Sequence, residues 1–253
     1  MPSLWFVVPV HGRVALTSIC LRQLRRTCDA LIAEGIEATA VVIADRENLH
    51  ALRGVHGFGT IERDNRFLSR RFNDGIQLAC DPKFNPRPAD YVVPCGSDDW
   101  VDYRIFLELP PSDTVLGFQH MSFVREDGRE LSRAKVAYVG GCGIRVYPRE
   151  VVSRLGYRPA DEDRGRGCDT SILTNLQRRL KFMRVDHLEI DSLQIVDWKS
   201  PDQQINSYEG VRRWRGREGD DPFEVLQGVF PDEALQEMQA HYAQTREREL
   251  VPA

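Results

Sequence analysis

Asp90-Tyr91-Val92-Val93-Pro94-Cys95-Gly96-Ser97-Asp98-Asp99-Trp100 decides how this chain is read: a short apolar strand stops at Pro-Cys-Gly-Ser and delivers two adjacent carboxylates. Tyr91, Val92 and Val93 are β-formers in a run too short for helical periodicity, so the acids project from a sheet edge. Hard divalent ions such as Mg2+ and Mn2+ take oxygen ligands, usually one or two protein carboxylates, with water and phosphates completing the shell. An isolated Asp-Asp pair is more often a solvated turn cap, so the weight falls on what surrounds it.

Upstream, Leu4-Trp5-Phe6-Val7-Val8-Pro9-Val10-His11-Gly12-Arg13 reads as a buried strand ending in Pro and Gly. Leu16, Cys20, Leu24, Cys28 and Leu31 then recur at helical spacing over residues 14–34, and Gly35 stands where a helix C-cap glycine belongs. Thr39-Ala40-Val41-Val42-Ile43-Ala44-Asp45 is a second strand that also ends in an acid. Strand, helix, strand is a βαβ unit, which implies a parallel sheet with ligands at the carboxyl ends of its strands. Asp45 and Asp98 share that edge.

In this order of features the chain resembles the nucleotide-sugar-dependent glycosyltransferases of the GT-A fold, particularly the inverting group called family 2. Val7-Val8-Pro9-Val10-His11-Gly12-Arg13 is similar to the family's first strand and loop, and Asp45 falls where its second strand presents an acid to the nucleoside. Asn65 through Ala79 is similar to its Asn-x-Gly-x-x-x-Ala helix, with Asn73 and Gly75 in register. Gly96-Ser97-Asp98-Asp99 resembles the Asp-x-Asp metal motif, with Gly96 in place of the first acid. The resemblance implies an α/β, Rossmann-like GT-A domain with a mainly parallel central sheet. Residues 1–100 would form the nucleotide-sugar half, 101–200 the acceptor and catalytic half, and 201–253 a helical extension packed on them. It also implies a divalent cation, Mn2+ or Mg2+, on Asp98 and Asp99. A late histidine often completes the shell in this fold class, so His187 is a candidate beside its plainer reading as a surface loop residue. Pro9, His11, Asp45, Arg70, Asn73, Ser97, Gly141 and Lys199 would line the nucleoside-diphosphate sugar.

The second half carries weaker signals. Gly140-Gly141-Cys142-Gly143 through Tyr147, then Pro148 to Tyr157, is similar to the family's glycine-rich strand and short helix beside the donor sugar. The acid-rich loop Asp161-Glu162-Asp163 leads to Cys168-Asp169 and a helix with Ile172, Leu173, Leu176 and Leu180 on one face. In the family an acid at this helix start is the catalytic base, which makes Asp169 the residue in register, although Cys168 stands where the family has Glu. Asp161, Glu162 and Asp163 are the alternatives. Asp169 is also what an ordinary N-cap looks like, and both roles are compatible, because the helix dipole keeps such a carboxylate ionised. Residues 113–138 read as an antiparallel hairpin with a turn at Asp127-Gly128. Residues 182–185 and 193–196 read as late strands, and Leu235, Met238 and Tyr242 as the apolar stripe of a last helix that packs on the domain or forms a dimer contact.

With 253 residues, 42% of them hydrophobic, the chain can bury the core of one large α/β domain. The apolar run Leu4 to Val8 is too short for a signal peptide or a membrane span, which gives a cytoplasmic expectation. Six cysteines without Cys-x-x-Cys pairing read as buried hydrophobes. A net charge of −4 argues against an electrostatically driven nucleic-acid binder as a whole. Locally, however, Arg63, Arg66, Arg70 and Arg71 cluster, and Tyr208 to Arg217 interleaves arginines with aromatics, a pattern suited to phosphates and a stacked or flipped base. The chain also resembles short phage-encoded glycosyltransferases, some of which decorate hydroxymethylated DNA bases, which makes DNA a candidate acceptor. Two alternatives remain open. A nucleotidyltransferase should carry a glycine-rich phosphate loop after the first strand, where only Gly12 is present, and a non-catalytic, degenerate transferase is suggested by Gly96.

Overall fold

The computed structural model describes residues 1–55, 57–135, 143–165, 168–180, 184–199 and 215–249. Gly140, Gly141 and Cys142, Arg166 and Gly167, and the arginine–aromatic run 208–214 lie outside the described residues.

The chain opens with β1 (Ser3–Pro9), α1 (Val14–Ala33) and β2 (Glu37–Ala44). Leu4, Phe6 and Val8 of β1 pack with Leu21, Leu24, Cys28 and Leu31 of α1, while Val7 points to the opposite face. A strand buried on both faces is what a helix-covered parallel sheet requires. Gly35 at φ 84° ends the α1 turn in the left-handed conformation expected of it. Next come α2 (Arg46–Ala51), β3 (Gly59–Glu62), α3 (Leu68–Cys80) and β4 (Tyr91–Pro94). The helix α3 lies directly on the sheet at Gly75, where a Cβ would stand 2.3 Å from Val7 Cγ1 and 2.9 Å from Ile43 Cδ1. Only glycine allows this approach.

After β5 (Asp99–Val101) follow β6 (Thr114–Phe118), β7 (His120–Val124), β8 (Leu131–Lys135), β9 (Arg145–Pro148), α4 (Arg149–Ser153), α5 (Cys168–Arg179), β10 (Arg184–Leu188) and β11 (Ile195–Trp198). The last elements are β12 (Arg215–Asp220), α6 (Pro222–Val225) and α7 (Asp232–Glu249). The large sheet has the order β10-β6-β9-β4-β1-β2-β3, and the small one β12-β8-β7-β11-β5. In the large sheet β9 alone runs antiparallel to its neighbours.

The stretch 113–138 is not the single hairpin read from its sequence. Only Gln119 separates β6 from β7, too little for the chain to reverse, so the strand passes from the large sheet into the small one. The hairpin is β7–β8, closed at Asp127-Gly128 with Gly128 at φ 68°. Ala234, Leu235, Met238 and Tyr242 of α7 are buried in a third cluster with Leu16 and Ile19 of α1 and with Trp100 and Trp198. On the surface of that packing Arg22 and Arg26 pair with Glu237 at 2.9 and 3.2 Å. The described cysteines are buried thiols outside any disulfide, and burial pushes Cys28 and Cys80 up to about 12, where they are inert. Among the described residues no helix is long and apolar enough to cross a membrane.

Candidate metal and nucleotide site

The Asp98-Asp99 pair sits where the two sheets meet. The β5 strand starts at Asp99 and pairs antiparallel with β11, which places Asp197 directly opposite Asp99. The Trp198 amide donates to the Asp98 carbonyl at 3.0 Å and locks the register. Ligand oxygens of Asp98, Asp99 and Asp197 all lie within 4.8 Å of one another. Behind them Trp100 and Trp198 pack with ring centroids 4.9 Å apart, and Phe230 and Tyr242 extend the dry backing. Gly96 has no room for the acid a regular Asp-x-Asp motif would put there. A Cβ at Gly96 would stand 2.6 Å from Asp99 Oδ2 and 2.9 Å from Asp98 Oδ1, and the Gly96 amide itself donates to Asp99 Oδ2 at 2.8 Å.

Two cations face these three acids. Arg13 Nη1 donates to Asp98 Oδ2 at 2.7 Å and Nη2 approaches Ser97 Oγ at 3.4 Å. Lys199, only 1% exposed, donates from Nζ to Asp197 Oδ2 at 2.5 Å and lies over the Phe123 ring. Were all three acids ionised, one negative charge would be left over, and the titration of the acids reflects it. Burial works against ionisation of Asp98, but the charges of Arg13 and Lys199 outweigh it and hold this carboxyl below its ordinary value. Burial, then the negative charges of Asp197 and Asp98, push Asp99 well above it. Burial likewise raises Asp197 to about 6, against the pull of Lys199. Asp197 Oδ1 is buried with no hydrogen-bond partner among the described residues. An oxygen-only donor set of three acids, with an unsatisfied carboxylate oxygen, fits a hard divalent cation.

A second group lies at the ends of β1 and β2. Asp45 caps α2, its Oδ1 accepting from the Asn48 amide and Nδ2 at 2.9 Å each, while Oδ2 accepts from Asn65 Nδ2. The backbone hydrogen bond from Asn48 is the largest influence that keeps this carboxyl below its ordinary value, and the charge of His11 adds to it. Asn65 Oδ1 receives Arg71 Nη1 at 3.0 Å, and the same nitrogen donates to the carbonyl of Val10, just after Pro9, at 2.6 Å. Arg71 is buried, its pKa lowered by that burial, and its Nε has no partner among the described residues.

The structure therefore brings Ser97, Asp98, Asp99 and Lys199 together, and places Pro9, His11 and Asp45 along the same strand ends. It sends others elsewhere. Asn73, fully buried, uses its amide to pin the loop before α5: Nδ2 donates to Ala160 O and Glu162 Oε1, and Oδ1 accepts from Ala160 N. Arg70 is exposed and pairs with Asp163 at 2.6 Å. His187 is exposed on β10, the edge of the large sheet, and the acid cluster does not include it. Asp169 lies in the first turn of α5. Of its alternatives, Asp161 pairs with Arg164, Glu162 with Arg158 and Asp163 with Arg70. Gly141 lies outside the described residues. Asp197, Arg13 and Asn65 are the members that sequence reading did not single out. For Asp197 the one signal is an echo, since Asp99-Trp100 and Asp197-Trp198 repeat an acid followed by a tryptophan.

No protein-family model matches the chain, and no curated protein matches it. Among solved structures the chain is similar to a mannosyltransferase from Pyrobaculum calidifontis in complex with GDP-Man and Mn2+, at 13% identity over 100% of this chain and 76% of that one, with a TM-score of 0.51. It is also similar to a Drosophila β1,4-galactosyltransferase 7 in complex with manganese, UDP-Gal and xylobiose, at 14% identity over 90% and 80% of the two chains, with a TM-score of 0.48. A third is 4-diphosphocytidyl-2C-methyl-D-erythritol synthase from Anaerococcus prevotii, at 8% identity over 80% and 94%, with a TM-score of 0.49. The likeness to the mannosyltransferase establishes the fold. This chain has the GT-A, Rossmann-like fold of the nucleotide-sugar transferases.

Proposed function

We propose that the chain is a cation-dependent glycosyltransferase that moves a sugar from a nucleoside-diphosphate sugar to an acceptor hydroxyl with inversion at the anomeric carbon. The observation that carries this reading is the Asp98–Asp99–Asp197 cluster, Asp98 buried and the other two half-buried, on the carboxyl edge of a parallel sheet. Asp98, Asp99 and Asp197 would hold Mn2+ or Mg2+, which when bound stabilises the charge growing on a departing diphosphate. Arg13 and Lys199 add positive charge at the same place. Asp45, with Asn65 and Arg71 behind it and Pro9 and His11 beside it, faces the nucleoside; Asp45 Oδ2 accepts one bond within the protein and has capacity for a second. Ser97 lies at the diphosphate, and Gly141 is assigned to the donor sugar by resemblance alone.

Asp169 is the proposed base: it takes the proton from the acceptor hydroxyl as that oxygen attacks the anomeric carbon, on the face opposite the leaving diphosphate, which inverts the configuration. Its backbone stands in the first turn of a helix of 12 residues, where a helix dipole favours negative charge. Asp161, Glu162 and Asp163 are each engaged by an arginine, Arg164, Arg158 and Arg70, which supports this choice. The acceptor suggested by resemblance is a hydroxymethylated base in phage DNA. Arg63 and Arg70 of the first arginine cluster pair with Asp74 and Asp163 within the protein.

The test is turnover. UDP- and GDP-sugars are incubated with the protein and Mn2+, with and without hydroxymethylated DNA, and free nucleoside diphosphate is measured. Release that needs the cation and is lost in Asp98→Asn is the expected result. Pyrophosphate release from a nucleoside triphosphate and a sugar phosphate would instead make the protein a nucleotidyltransferase, and binding without turnover would make it a degenerate transferase. Release unchanged by DNA would remove that acceptor.

A further inference from the structure

We propose that Arg13 and the divalent cation occupy Asp98 in alternation: the guanidinium is the counter-ion of the cation-free site and leaves Asp98 Oδ2 when the cation enters. This rests on the cation-dependent reading above and specifies how the site is emptied and filled. Arg13 Nη1 stands 2.7 Å from Asp98 Oδ2, with the two side chains 17% and 12% exposed. Cation–oxygen distances are about 2.0–2.6 Å. An ion drawn into the ring of carboxylate oxygens would therefore meet the guanidinium at close range and with like charge.

The two resident cations differ in their freedom to yield. Lys199 follows β11, its amide donating to Val124 O at 3.1 Å and its carbonyl accepting from Tyr242 Oη at 2.5 Å, and its side chain is 1% exposed. Arg13 projects from a loop. Gly12 and Arg13 are successive left-handed residues at φ 64° and φ 50°, and apart from Asp98 the guanidinium's hydrogen-bond partner among the described residues is Ser97 Oγ, at 3.4 Å. A long side chain at the mouth of the site, held by one short charged bond and one long neutral contact, is the one that can swing away without disturbing a strand.

The experiment measures cation binding, not catalysis. Mn2+ is titrated calorimetrically into wild type and Arg13→Gln in the absence of nucleotide. Removing a competing positive charge should tighten Mn2+ binding by about tenfold or more. In parallel, wild-type protein carrying 15N-labelled arginine is titrated with Mg2+, the Arg13 side-chain resonance being assigned with Arg13→Lys. A guanidinium resonance held in slow rotation without the cation should be lost on saturation. The wild-type spectrum decides the question even if Arg13→Gln folds poorly. If Mg2+ binds while the Arg13 resonance keeps its place, or if Arg13→Gln binds Mn2+ no more tightly than wild type, the alternation is wrong and the metal reading stands. If wild type binds neither ion, both fall together.

Discussion

Replacing Gly96 by aspartate supplies the acid that a regular Asp-x-Asp motif has at this place, and it should weaken cation binding instead of strengthening it. A Cβ on residue 96 would lie 2.6 Å from Asp99 Oδ2, 2.9 Å from Asp98 Oδ1 and 3.1 Å from Asp99 Cγ. These are ends of side chains, so the fold can yield, but what yields are the ligand oxygens themselves. Gly96→Ala isolates this steric part, for which overpacking costs about 1–3 kcal/mol. In a chain of this size each kcal/mol lowers Tm by about 2–4 °C. Gly96→Asp adds a further carboxylate to three that already share one small volume. At roughly 5 Å and an effective dielectric of about 20, each like-charge pair costs about 3 kcal/mol, partly relieved by protonation. Because about 1.4 kcal/mol is tenfold in affinity, the displaced ligand oxygens of Gly96→Ala should lose roughly one order of magnitude in Mn2+ affinity; Gly96→Asp carries the same displacement with a larger side chain, and its like-charge cost falls on the Tm of the cation-free protein. Calorimetric Mn2+ titration with a thermal melt of each cation-free variant checks both numbers. Tighter Mn2+ binding by Gly96→Asp than by wild type would refute the reasoning, since it would mean that the acids do not close over residue 96.

Proton competition gives the cluster a pH signature. With Asp197 raised to about 6 and Asp99 also raised well above its ordinary value, a cation must displace protons, so Mn2+ affinity measured by calorimetry should rise from pH 5 to pH 7, with fewer protons released at the higher pH. In the cation-free protein the same raised Asp197 favours the folded state at low pH, and that contribution, complete below about 4, is lost as pH rises through about 6; Asp197→Asn should flatten this part of a Tm-against-pH curve. Asp45→Ala removes the α2 cap, worth about 1 kcal/mol, and should weaken nucleoside diphosphate binding more than it slows turnover; unchanged calorimetric affinity would place the nucleoside elsewhere. Asp169→Asn should leave donor binding intact and lower transfer by about 10²–10⁴-fold, whereas near-normal transfer combined with an essential Asp161, Glu162 or Asp163 would move the base to that loop.

What the sequence discloses about this site is divided by the distance over which each feature is determined. The β1–α1–β2 unit and the acid at the end of β2 are legible because alternation, helical spacing and Gly35 are local properties. The pairing of β5 with β11 is not, for it depends on where two separate segments meet, and with it goes the position of Asp197 opposite Asp99. Asn73 shows the converse: in sequence it resembles a ligand-binding asparagine, and in the fold its amide engages Ala160 and Glu162, because a buried amide must find partners wherever the fold supplies them. The arginines after residue 62 look like free positive charge in one dimension, but in three dimensions Arg63 and Arg70 meet carboxylates and Arg71 meets a carbonyl. Gly96 joins the two scales. Read alone, it is a missing acid that casts doubt on the motif. In the folded chain its missing Cβ leaves the space that the oxygens of Asp98 and Asp99 occupy, and the third acid of the cluster comes instead from Asp197 on β11.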